Sequence, residues 1–153
     1  MLQPHWTAYV TALTVPALAL AASAIAYGQW RTAQNRLRHE LFDKRMLVYE
    51  SVRDMLGHVA SRGTISTEQQ AKYFFGIQTA KWLFGADVNS YLSATLWGKL
   101  VDLQFHEQLS SAENRGDPER SKHIAKRSEL CKWLIAQYSV LDEKMEKYMR
   151  LGH

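Results

Sequence analysis

The chain has 153 residues, 46% of them hydrophobic, with 19 Lys and Arg against 15 Asp and Glu and a formal net charge of +4. That length leaves room for one domain and a short extra segment, and the hydrophobic content excludes a disordered chain. A lone Cys131 excludes an internal disulfide and Cys-paired metal sites, in keeping with a reducing compartment, while the mild positive charge suits anionic lipid as well as a nucleic acid or nucleotide and selects neither.

Residues 1–5 hold no Lys or Arg, and the next 25 residues, Trp6 to Trp30, hold no charge at all. At about 1.5 Å per residue a helix of this length reaches about 37 Å, enough to cross a hydrocarbon core of about 30 Å. Trp6 and Tyr9 at one end, and Tyr27 and Trp30 at the other, stand where amphipathic rings prefer the headgroup layers. The run therefore predicts a transmembrane helix over 6–30. Arg31, Arg36, Arg38, Lys44 and Arg45 follow it closely, so the positive-inside rule puts the N-terminus outside and the C-terminal part in the cytoplasm. Ala19-Leu20-Ala21 imitates a signal-peptide cleavage site, but no basic segment precedes the run and the run is too long for one.

Within the run, Thr7, Thr11 and Thr14 share one face, and eight alanines with Gly28 keep much of the surface small. Small residues let helices approach in lipid, where no hydrophobic force draws them together, so self-association is expected. With the threonines inward, several copies would line a pore. Alternatively the hydroxyls bond back to their own helix, or help the Ala12 carbonyl that Pro16 leaves free.

Residues 31–153 read as helix throughout. Leu37, Leu41, Val48, Val52, Met55 and Val59 form an apolar stripe, and the membrane helix is free to continue into it. Arg62-Gly63 ends that segment. Ser66-Thr67-Glu68-Gln69 is a capping-box pattern opening a helix through Phe84, with Tyr73, Ile77, Ala80 and Phe84 on one stripe and Phe75 and Trp82 on another. The first stripe suits a core; the second suits an ordinary helix buried on more than one face, or else another subunit, a protein partner or the membrane surface. Asp87 is a plausible N-cap for a third helix to Ser110, carrying Val88, Leu92, Leu96, Leu100 and Leu103. After a turn at Asn114–Pro118, a last helix to Leu151 places Cys131, Leu134, Tyr138, Leu141, Met145 and Tyr148 three and four apart. Glu143 with Lys147 and Glu146 with Arg150 are spaced to pair on its outer face.

Arg120, Lys122, His123, Lys126 and Arg127 collect early in the last helix, where the dipole prefers anions; they read as an ordinary solvated face, or as a site where a phosphate or other anion from a nucleotide or nucleic acid would relieve them. No Gly-rich phosphate loop or stacking platform accompanies the cluster. The histidines lack H-x3-H or HExxH spacing, His106-Glu107 has no third ligand, and no nucleophile elbow is present, so neither a metal nor a cofactor is expected.

Arg53-Asp54-Met55-Leu56-Gly57-His58 matches R-x4-H and resembles the motif of the HEPN ribonucleases, all-helical proteins that pair two copies to build one site. That resemblance implies that Arg53 stabilises phosphate and His58 moves a proton; read as residues of a helix surface, Arg53 is a solvated or paired charge and His58 a surface imidazole. On an unbroken helix residues five apart diverge by about 140°, so the two side chains converge only if Gly57 interrupts the helix. Leu41-Phe42-Asp43-Lys44-Arg45 with Val48-Tyr49-Glu50, then Trp82-Leu83-Phe84-Gly85, and Lys132-Trp133-Leu134 with Tyr148-Met149-Arg150-Leu151, resemble a widespread group of short bacterial proteins with one N-terminal span. In layout the chain is also similar to the membrane protein accompanying some type VI-B CRISPR systems, which implies a multimeric pore used in phage defence.

The expected protein is all-α: a short outer N-terminus (1–5), one transmembrane helix (6–30) and a cytoplasmic four-helix bundle (31–153) in the bacterial inner membrane. Its expected role is a self-associating interaction or membrane-effector module. The alternative is a membrane-tethered, dimeric HEPN-type ribonuclease.

Overall fold

In the computed structural model, the backbone is described for residues 6–112 and 118–150, and side chains for Thr14, 16–111 and 118–150. Among these residues there is no strand. The helices are α1 (Trp6–Arg62), α2 (Thr67–Gly76), α3 (Ala80–Leu83), α4 (Ala86–Ser90), a π-helical turn (Tyr91–Leu96), α5 (Trp97–Ala112) and α6 (Pro118–Met149). The all-helical expectation is thus met. The chain divides into two units, Met1–Glu40 and Leu41–His153.

In the first unit Pro16 sits inside α1 and gives no N–H to the carbonyl four residues back. Ser23 and Thr32 donate to the carbonyls of Ala19 and Gly28, at 2.8 and 2.9 Å, so these hydroxyls are satisfied by their own helix. Thr14 and every residue from Pro16 to Glu40 are exposed. Among the described residues no helix is long and apolar enough to cross a membrane. The side chains of Thr7 and Thr11, like those of Trp6 and Tyr9, lie outside the described residues.

The second unit is built from four helical passes: the C-terminal part of α1, the α2–α3 segment, α4 through α5, and α6. Val48, Val52, Met55 and Val59 are buried as their spacing predicts, and Leu56 joins them. Gly63, at φ +65°, closes α1 by donating its N–H to the Val59 carbonyl at 2.8 Å; this left-handed cap is a conformation glycine adopts without steric cost. Ser66 then caps α2, its hydroxyl accepting from the Gln69 N–H at 3.2 Å.

Two boundaries differ from the periodic pattern. The expected second helix breaks after Gly76 and resumes at Ala80 through tighter i to i−3 turns. At Gly76 a Cβ would lie 2.0 Å from the Ser51 Oγ, so α1 and α2 touch nearly backbone to side chain there. The third helix starts at Ala86, capped by Gly85 rather than by Asp87, and contains the π turn. There the buried Tyr73 hydroxyl donates to the Leu92 carbonyl at 2.8 Å, while that carbonyl also accepts from the Trp97 N–H. A hydroxyl inserted at that carbonyl favours the one-residue widening. Val88, Leu92, Leu96, Leu100 and Leu103 all reach the core despite it. On the opposite wall Leu130, Leu134, Leu141 and Met145 of α6 complete the packing. The expected turn at residues 114–117 falls outside the described residues, and α6 ends at Met149, short of the expected Leu151.

Candidate functional site

Helix α1 runs without interruption through Gly57, so Arg53 and His58 point in different directions. Arg53 instead belongs to a surface network. Its Nη1 donates to the Tyr49 hydroxyl at 2.8 Å, and that hydroxyl donates to Asp142 at 2.7 Å. The guanidinium also stands 5.8 Å from the Tyr49 ring centre and 6.0 Å from that of Tyr138. The hydrogen bond to Asp142 and partial burial push the Tyr49 phenol up, partly opposed by Arg53. Gly57 serves this packing: a Cβ there would stand 3.2 Å from the Tyr138 hydroxyl. His58 is half-buried on another side of the helix.

The Leu41–Glu50 motif residues have an equally concrete job. Arg45 donates from Nε to the Leu83 carbonyl at 3.0 Å and from Nη1 to the Tyr148 carbonyl at 2.8 Å, tying α1 to the ends of α3 and α6. The Tyr148 hydroxyl accepts from the Gly85 N–H at 2.9 Å and donates to Asp87 at 3.3 Å. Lys147 reaches Asp87 at 3.1 Å rather than pairing with Glu143, whereas Arg150 and Glu146 pair as their spacing predicts. The Lys147 ammonium holds the exposed Asp87 carboxyl below the usual carboxylate range.

The basic segment of α6 has internal partners. Arg120 donates to the Ser110 carbonyl in the last turn of α5 at 2.9 Å. Lys122 pairs with Glu119, and Lys126 pairs with Glu129 at 2.9 Å. His123 meets His106 of α5, Nδ1 to Nδ1, at 2.9 Å. Arg120, Lys122 and Lys126 are thereby directed to protein oxygens, with Arg127 near the Cys131 thiol. Neither the His106–His123 contact nor the Tyr49–Arg53–Asp142 network is visible in local spacing, because each spans two helices. Among the described residues no three His, Cys, Asp or Glu gather to hold a metal ion.

Cys131 is half-buried against the core, and its thiol contacts the Gly63 carbonyl at 3.3 Å. Burial raises its pKa. It is a packing residue with a weak hydrogen bond, as its place on the stripe suggests.

The two stripes of the α2–α3 segment separate, the first into the core as expected and the second to the surface rather than into an ordinary buried helix. Tyr73, Ile77, Ala80 and Phe84 are buried, while Phe75 and Trp82 are 72% and 80% exposed. Lys81 stacks its ammonium 4.9 Å from the Trp82 ring centre, and Phe74 bridges Phe75 and Trp97. No protein-family model, curated relative or solved structure matches the chain.

Proposed function

We propose that this chain is a single-pass bacterial inner-membrane protein, N-terminus outside and helical domain in the cytoplasm, which self-associates and acts as an interaction or membrane-effector module. The observation that carries the reading is the uncharged stretch from Trp6 to Trp30, which lies on α1 and whose described side chains are all exposed. Leu18, Leu20 and Ile25 are 67%, 73% and 61% exposed. Each buried CH₂ gains about 0.8 kcal/mol, so a run of such side chains favours an apolar surrounding over water. Lipid on the outside and a second copy at the small-residue face both supply it. The layout shared with the CRISPR-associated pore protein supports the finer form of this reading, a pore lined by Thr7, Thr11 and Thr14 and used in phage defence.

An alkaline phosphatase fused after His153 is expected to be inactive, because the basic residues after the run retain that end in the cytoplasm. A fusion active in the periplasm overturns the topology. Light scattering in mild detergent is expected to give a multiple of the 17.6 kDa chain, and a monomer at micromolar concentration overturns the self-association.

A further inference from the structure

His106 on α5 and His123 on α6 are both half-buried, and their Nδ1 atoms are 2.9 Å apart. The ring centres are 5.1 Å apart, close to the largest separation that such a contact permits, so the two nitrogens meet head-on. That is the geometry of a hydrogen bond, in which one ring supplies Nδ1–H and the other a lone pair. Two ligands to one metal would instead aim both lone pairs at a third point.

Counting protons gives this contact a property that neither histidine has alone. In the neutral pair the donor ring has a bare Nε2, and a first added proton goes there without disturbing the bond. The resulting bond is charge-assisted and stronger. A second added proton has only the shared Nδ1 lone pair left, and taking it removes the acceptor and faces two imidazolium ions across the gap. We propose that the His106–His123 pair is an acid-released clamp between α5 and α6, closed while it carries at most one added proton and open when it carries two.

The charged groups around the pair set its cost. From α6, Arg120 and Arg127 stand one turn before and after His123 with Lys126 beside them, and these cations oppose a second imidazolium. The nearby carboxylates Glu119 and Asp102 are engaged with Lys122 and with Lys99, the latter at 3.8 Å, and Glu107 borders His106 on α5. In the unfolded chain both rings take protons independently. The open form therefore binds one more proton than the closed form, and the clamp weakens as pH falls.

The test uses the full chain in mild detergent with Cys131→Ala and spin labels on cysteines at Ser111 and Ser121, exposed residues of α5 and α6. A narrow distance distribution at pH 7.5 is expected to broaden and lengthen reversibly at pH 5.0. His106→Gln and His123→Gln, which titrate at neither pH, are each expected to lose that response. An unchanged distribution in the labelled parent, or the same acid response in both variants, overturns the proposal. Imidazole ¹⁵N spectra of the parent need no variant: a hydrogen-bonded Nδ1 pair at pH 7.5 that is lost as the distance lengthens supports the clamp, and two independent titrations at constant distance overturn it.

Discussion

Tyr73 shows how one side chain couples a helix irregularity to pH. It is 1% exposed, its hydroxyl satisfies the Leu92 carbonyl, and its ring stacks on Trp97 with centres 6.4 Å apart. Burial raises its pKa far above the ordinary phenol value, and burial also pushes Tyr91 up to about 12. Above pH 10 the unfolded chain loses these protons while the folded chain keeps them, so the folded state binds more protons and stability falls as pH rises. The loss is expected to reach about 1.4 kcal/mol per pH unit for Tyr73. Thermal melts between pH 8 and 11, with phenolate absorbance followed in parallel, check it; stability constant across that range refutes the assignment. At Cys131 the raised thiol pKa and half-burial predict slow labelling by thiol reagents in the native state. Cys131→Ala is expected to cost about 1 kcal/mol in chemical denaturation and leave activity intact.

Where α1 meets α2, helix packing depends on one missing side chain. The Gly76 Cα faces Ser51, whose Oγ is buried and has no hydrogen-bond partner among the described residues. Gly76→Ala would place a Cβ 2.0 Å from that oxygen and 2.6 Å from the Ser51 Cβ, so one helix must shift. A loss of about 2 kcal/mol is expected, the usual size of a core overpacking penalty. Ser51→Ala acts the other way, because it removes an unsatisfied buried hydroxyl, and should be neutral or stabilising by up to about 1 kcal/mol. Urea titrations of both variants check the pair. Equal destabilisation by the two would show that the α1–α2 contact is looser than described. At this scale the sequence was readable where periodicity was clean: Val88, Leu92, Leu96, Leu100 and Leu103 are all in the core. On the stripe of α1, Leu37 and Leu41 are apolar but 51% and 36% exposed, so apolar spacing alone did not mark where burial begins. Lys147 chose Asp87 over Glu143 because α4 brings a carboxylate within 3.1 Å, which an i, i+4 rule within one helix cannot register.

For the whole molecule, the effector and nuclease readings make opposite demands. Phosphate stabilisation and proton transfer would depend on Arg53 and His58. An effector would tolerate their loss beyond the stability effect of removing Arg53 from its two tyrosine rings, expected to be about 1 kcal/mol. A cation within the proposed span costs about 3 kcal/mol on insertion scales, so Thr11→Lys should damage the effector. Membrane depolarisation or phage resistance, compared at equal expression, is expected to survive Arg53→Ala and His58→Ala and to fail in Thr11→Lys. The reverse pattern, with a 31–153 fragment still active, would favour the ribonuclease.

The amino-acid sequence by itself determined that the chain is helical, where most of its apolar faces lie, and that a long uncharged stretch precedes a basic one. These are properties of residues near one another in the chain, and 3.6-residue periodicity, caps and charge steps report them directly. Only the tertiary structure decided what the polar side chains do. The Tyr49 hydroxyl reaches Asp142 on α6, Arg45 holds two carbonyls on other helices, and His123 finds His106. Each partnership depends on atoms brought within about 3 Å across helices, which requires the packed positions of both partners and leaves no signature in local spacing.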